Sequence, residues 1–269
     1  MAWHRLPGAR HRGPTTREGH RPGVGWDVRR TWTASHGGRI RRLRGGNSPT
    51  PFSHSSGQTY RKADRALNDK GNPDGAIASC KEAIRLDPKY VHAHHNLGHA
   101  LQLKGDLAGA ISSYREAIRL DPRYVHAHSN LGSALQAKGD VHGALACYKE
   151  ALRIDPKHAF AHNNIASLLA TGSDGVRDGR RAVEHATRAC ELTGWKHFAT
   201  LDTLASAYAE AGEFDKAVEF QSKALSLPTF PKAKEAVGRR RLDLYSQRTP
   251  YRDPALSRRE VAPPPRPAR

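Results

Sequence analysis

Small and apolar residues return along this chain at a fixed step. Leu97 and Gly98 recur as Leu131 and Gly132 and again as Ile165 and Ala166, each time 34 residues further on. Ala83, Ala117 and Ala151 keep the same step, and so do Pro88, Pro122 and Pro156. In the clearest unit, residues 91–124, His94, Leu97, Gly98 and Leu101 fall on one face of a 3.6-residue period, which predicts a helix over about 91–104. Gly105-Asp106 interrupts it, glycine ending one helix easily and aspartate suiting the start of the next. A second helix over about 108–120 turns Ala110, Tyr114, Ala117 and Ile118 inward, and Asp121-Pro122 closes the unit because proline pushes its predecessor out of the α region. A repeat of this length and content predicts helix pairs stacked into an all-α solenoid, not a closed globule.

The same template places about five units at 57–90, 91–124, 125–158, 159–194 and 198–228. The first has a good second helix through Ala76, Cys80 and Ala83 but a weak first one, with Ala63 and Asp64 where the others carry Leu-Gly. The fourth holds four extra residues between its helices, around 172–179. Beyond the fifth, within 229–247, residues 232–246 can form an amphipathic helix through Ala236, Val237, Leu242 and Tyr245. Such a helix would cover the open face that ends a solenoid. Residues 1–56 have no period, and their Gly, Pro, Arg, His and Ser cannot bury enough apolar area to offset ordering. They read as a disordered basic leader, or as an artefactual start upstream of the true reading frame. Residues 248–269, containing Pro263-Pro264-Pro265, read as a disordered basic tail.

Charge changes this picture only at the ends. The chain carries +18, of which 1–56 contribute +9, 229–269 contribute +7, and the region between them +2. Nucleic acid is therefore a conceivable partner only through the basic tails. No apolar run is long enough for a membrane helix and no secretory h-region opens the chain. Three widely spaced cysteines (Cys80, Cys147, Cys190) without a C-x-x-C argue against a disulfide or zinc framework and fit a reducing cytoplasm. No kinase glycine loop, His-Arg-Asp or Asp-Phe-Gly motif is present, nor a Walker loop, a nucleophile elbow or a His-Glu-x-x-His helix. A non-enzyme without cofactors is expected. His95 and His99 have the i, i+4 spacing of metal ligands, but no Cys, Asp or Glu of that helix completes a site.

Small residues at positions 8, 20 and 27, Gly-Asp at 15–16 and Pro at 32 make residues 57–228 resemble the tetratricopeptide repeat (TPR) family. The resemblance implies a right-handed superhelix whose first helices line a concave groove that binds a protein or peptide. The last repeats, from "ACELTGWKHF" onward, are also similar to the terminal arrays of bacterial multidomain proteins, some with Ser/Thr kinase domains. An orphaned array of such an enzyme is therefore the alternative to a free-standing scaffold. In the implied groove, Asn96, Asn130 and Asn164 share position 6. An amide offers a donor and an acceptor to an extended peptide backbone. Helices about 8–10 Å apart would let this ladder meet every third residue of a strand advancing about 3.3 Å per residue. His92 and His126 at position 2, with His95 and His99, complete the expected lining, whose charge should rise below pH ~6.5. His94, His128 and His162 at position 4 are read as packing between repeats. The family's chaperone-type carboxylate clamp wants Lys, Asn, Lys and Arg where this chain has His95, His99, Phe160 and Asn164, so acidic-tail recognition is not expected.

Overall fold

The structure, a computed structural model, describes residues 72–253, all within one compact unit. The expected first helix of the first repeat and both tails lie outside these residues. Among the described residues ten helices follow one another: α1 Pro73–Leu86, α2 Val91–Lys104, α3 Leu107–Leu120, α4 Val125–Lys138, α5 Val141–Ile154, α6 Ala159–Thr171, α7 Gly179–Leu192, α8 Phe198–Glu210, α9 Phe214–Ser226 and α10 Lys232–Ser246. Among the described residues there is no strand. The pairs α2–α3, α4–α5, α6–α7 and α8–α9 pack as hairpins, and each pair stacks on the next.

The helix ends follow from their residues. Asn72, Asp106, Asp140 and Asp178 precede α1, α3, α5 and α7, and each side-chain oxygen accepts from the backbone N–H three residues on at 2.8–3.0 Å. Gly105 and Gly139 end α2 and α4 at φ 88° and 91°, a left-handed backbone that costs glycine nothing. The inter-repeat turns use the Asp-Pro pairs: Asp121 Oδ1 accepts from the Arg123 N–H at 2.9 Å, and Asp87 and Asp155 do the same. Expectation and structure agree on α2 and α10 to the residue and on the start of α3 to within one.

The core is a line of alanines with one large side chain beside each close approach. Ala110, Ala117, Ala144, Ala151, Ala182, Ala186 and Ala189 are fully buried, which lets the helix axes come near. A Cβ at Gly98 or Gly132 would stand 2.7 Å from the ring of Tyr114 or Tyr148, so each glycine is the cavity its tyrosine fills. The tyrosine hydroxyls donate to Gln102 Oε1 at 3.0 Å and Gln136 Oε1 at 3.1 Å, which satisfies the one polar atom each ring carries inward. Cys80 and Cys190 are buried, whereas Cys147 is half-buried. No cysteine among the described residues is in a disulfide, and burial pushes the Cys190 thiol up to about 11.

The extra residues of the fourth repeat form the loop 172–178. Gly179 starts α7 where its missing Cβ would lie 2.5 Å from the Ala211 backbone nitrogen, so the end of α8 crosses directly over it. Arg177 folds back, donating to the Gly172 carbonyl at 3.1 Å and to Glu210 Oε1 at 3.1 Å. At the far end α10 packs on α9, and buried Tyr245 shares a hydrogen bond of 2.9 Å with Ser206. The chain then turns back. Arg252 pairs with Glu210 at 2.5 Å, and the Asp253 N–H donates to the Thr171 carbonyl at 3.4 Å, at the end of α6.

Candidate functional site

The first helices α2, α4 and α6 carry most of the sequence-predicted residues, and the structure joins some of them into one network. His95 Nδ1 lies 3.1 Å from Asn96 Oδ1, and Asn130 Nδ2 lies 2.9 Å from His95 Nε2. The amide oxygen can only accept and the amide nitrogen only donate, so His95 is neutral with its proton on Nδ1. Two of the three ladder asparagines are thus bridged by a histidine, leaving Asn96 Nδ2 and Asn130 Oδ1 for a ligand. Asn164 stands apart: its Nδ2 donates to the Phe160 carbonyl of its own helix at 2.9 Å. With both ring nitrogens engaged, His95 has none left for a metal beside the exposed His99. Among the described residues no group of three or more His, Cys, Asp or Glu could hold a metal ion.

The expected charging of the groove near pH 6.5 is corrected. Burial drives His95 down to about 3 and His158 down to about 4. Desolvation of the imidazolium outweighs any gain from charging, so these rings stay neutral well into acid.

The position-4 histidines have a definite task. His94, His128 and His162 each place Nε2 2.9–3.1 Å from the carbonyl of Pro88, Pro122 or Pro156. A carbonyl only accepts, so each Nε2 is protonated and ties its helix to the turn from the preceding repeat. His162 also meets His185 of α7, Nδ1 to Nδ1 at 3.0 Å, and burial with this neighbour holds His185 at about 4.

Sequence reasoning missed a line of rings. Tyr90, His92, Tyr124, His126, His158 and Phe160 follow one another edge to face, with centroids 5.9, 5.2, 5.9, 5.5 and 6.3 Å apart. They come from two template positions, the residue before each first helix and the second residue within it. Reading position 34 beside position 2 would have found the line, because each repeat supplies one ring at both. His92 is anchored by Tyr124 Oη at 3.1 Å, while His126 is exposed. Next to this line, two buried polar atoms, His158 Nε2 and Asn163 Oδ1, have no protein partner. Asn163 sits at the template position of His95, so the site that is closed by an internal network on α2 and α4 is open on α6.

Family models described as TPR repeat and Tetratricopeptide repeat match residues 65–105, 103–139, 125–158 and 199–228. No curated protein matches the chain. Among solved structures, it is similar to a tetratricopeptide repeat protein from Parabacteroides merdae (21% identity, TM-score 0.58, covering 73% of this chain and 75% of that one). The TPR protein TTC0263 from Thermus thermophilus aligns at 21% identity and TM-score 0.54 over 71% and 99% of the two chains. MamA from Desulfovibrio magneticus aligns at 19% and 0.55 over 65% and 96%. At such identities these likenesses show the fold. Repeat spacing, helix pairing, the glycine–tyrosine close approaches and the family matches converge: the chain belongs to the tetratricopeptide repeat family, whose stacked helix pairs are protein-interaction scaffolds.

Proposed function

We propose that this protein is a non-catalytic scaffold that holds an extended peptide segment of a partner protein across α2, α4 and α6. The observation that carries the reading is the juxtaposition of the ring line with the open amide groups of Asn96, Asn130, Asn163 and Asn164. Rings give flat apolar contact at low entropy cost, and amides pair with the unsatisfied backbone of an extended chain. His92 and His126 act through their ring faces, His95 as the post that orients Asn96 and Asn130, and His99 at the rim.

Capture from native lysate with the full chain tests this. Asn130→Ala would strip His95 of a partner and disturb the fold, so the informative variant is His126→Ala with Asn164→Ala, which spares the buried network. A partner retained by the unaltered chain and lost by this variant, with an unchanged circular dichroism spectrum, is the expected result. Equal retention would move the site to the second-helix face. We place the protein in the cytoplasm; among the described residues no helix is long and apolar enough to cross a membrane.

A further inference from the structure

The line of rings has a pitch. From Tyr90 through His92 to Tyr124, and from Tyr124 through His126 to His158, two successive steps of 5.2–5.9 Å advance it by one repeat, so equivalent rings are at most about 11 Å apart. A polyproline II strand turns once every three residues and rises about 9.3 Å per turn, so every third residue returns to the same face. A strand with prolines three apart therefore sets one pyrrolidine per repeat against this surface. The line bears no carboxylate and no ammonium of its own, and burial holds His158 down at about 4, so the surface offered to a proline ring is flat and weakly polar. Such ligands bind aromatic-lined grooves because their backbone is already extended and loses little entropy.

Beyond Asp253 the chain carries such a sequence: residues 264–267 read Pro-Pro-Arg-Pro. The last described residue, Asp253, is hydrogen-bonded to Thr171 at the C-terminal end of α6. The N-terminal end of that helix carries Phe160, and His158 just precedes it. α6 has 13 residues, a length of about 20 Å, and α4 lies about 10 Å further on. The eleven residues from Asp253 to Pro264 span up to about 36 Å, enough to bring Pro264 and Pro267 to the rings of the same molecule.

We propose that the ring line from Tyr90 to Phe160 is a polyproline II binding site, and that its resident occupant is the chain's own Pro264-Pro265-Arg266-Pro267. This rests on the groove reading above and adds the regulation of that site: a partner must displace the tail.

The test uses the full chain, a second full chain carrying Pro264→Ala and Pro267→Ala, and a fluorescent synthetic peptide with the sequence of residues 260–269. A tethered segment has an effective concentration of order 1 mM, so for a peptide that binds at about 100 μM the unaltered chain should bind the probe about tenfold more weakly than the proline variant. Adding His126→Ala to the proline variant should abolish that gain. Equal binding to both chains, or binding to neither, overturns the proposal. A difference that emerges only at high protein concentration places the tail in a second copy and overturns it as well. The groove reading fails separately: if lysate capture still depends on His126 and Asn164 while the probe binds neither chain, the groove stands and its autologous ligand does not.

Discussion

Gly132 and Tyr148 are one decision made with two residues. Where the eighth position is glycine, the facing position on the second helix is tyrosine, as in Gly98–Tyr114 and Gly132–Tyr148. In the fourth repeat the eighth position is Ala166 and the facing residue shrinks to Ala186; in the fifth they are Ala205 and Gln221, all buried. Gly132→Ala should gain about 1 kcal/mol of helix propensity and lose up to about 3 kcal/mol to overpacking, a net loss of about 1–2 kcal/mol in urea unfolding. In a Tyr148→Ala background the same change should be neutral or stabilising. A loss of equal size in both backgrounds would mean the ring is not what the glycine makes room for. The histidines make a second prediction at this scale. Their folded pKa values lie below the ordinary 6.5, so the unfolded chain binds more protons between the two values, and stability falls as pH drops from about 6.5 toward about 4 for His158 and His185 and toward about 3 for His95. Ring-proton NMR should find all three neutral at pH 5.5, and midpoints near 6.5 would contradict the burial argument.

At the scale of elements, the loop 172–178 and the returning segment 248–253 share one carboxylate. Glu210 is paired with Arg177 and Arg252, and the side chains of Glu210 and Arg177 are only 13% and 18% exposed, so solvent screens the first pair poorly. Glu210→Ala leaves both guanidinium groups without this anchor. It should cost about 2–3 kcal/mol and raise hydrogen exchange in both segments, while α2–α5 are unaffected. Uniform exchange changes along the array would contradict so local a role. This knot was not legible in the sequence. The extra length of the fourth repeat was, but the fact that Arg177, Glu210 and Arg252 meet depends on how far the loop swings and on the chain reversing after α10. No periodicity encodes either. The helices themselves were legible because Asp caps, αL glycines and Asp-Pro stops are local signals repeated at the same step.

Across the whole molecule, a solenoid's stability is close to a sum of repeat and nearest-neighbour terms, so damage spreads little. Tyr245→Ala removes the buried ring by which α10 covers α8 and α9, and should fray that end first, visible as early exchange in α8–α10 before α2–α5 open. The candidate site is likewise distributed. The asparagine ladder was visible in the sequence as a repeat, but its division into a bridged part on α2 and α4 and an open part on α6 was not, because that turns on His95 being replaced by Asn163 across a helix–helix gap. The ring line escaped notice for a related reason: its members alternate between two template positions and between tyrosine, histidine and phenylalanine.

Site-specific photo-crosslinking in native lysate addresses the binding surface directly. A photoreactive residue placed at His126, on the ring line, is compared with one at Arg115, exposed on the second-helix side of α3. The account predicts that a partner protein is trapped from position 126 through an extended segment identified by mass spectrometry, and not from position 115. Trapping at 115 with none at 126 would contradict a groove that binds through α2, α4 and α6.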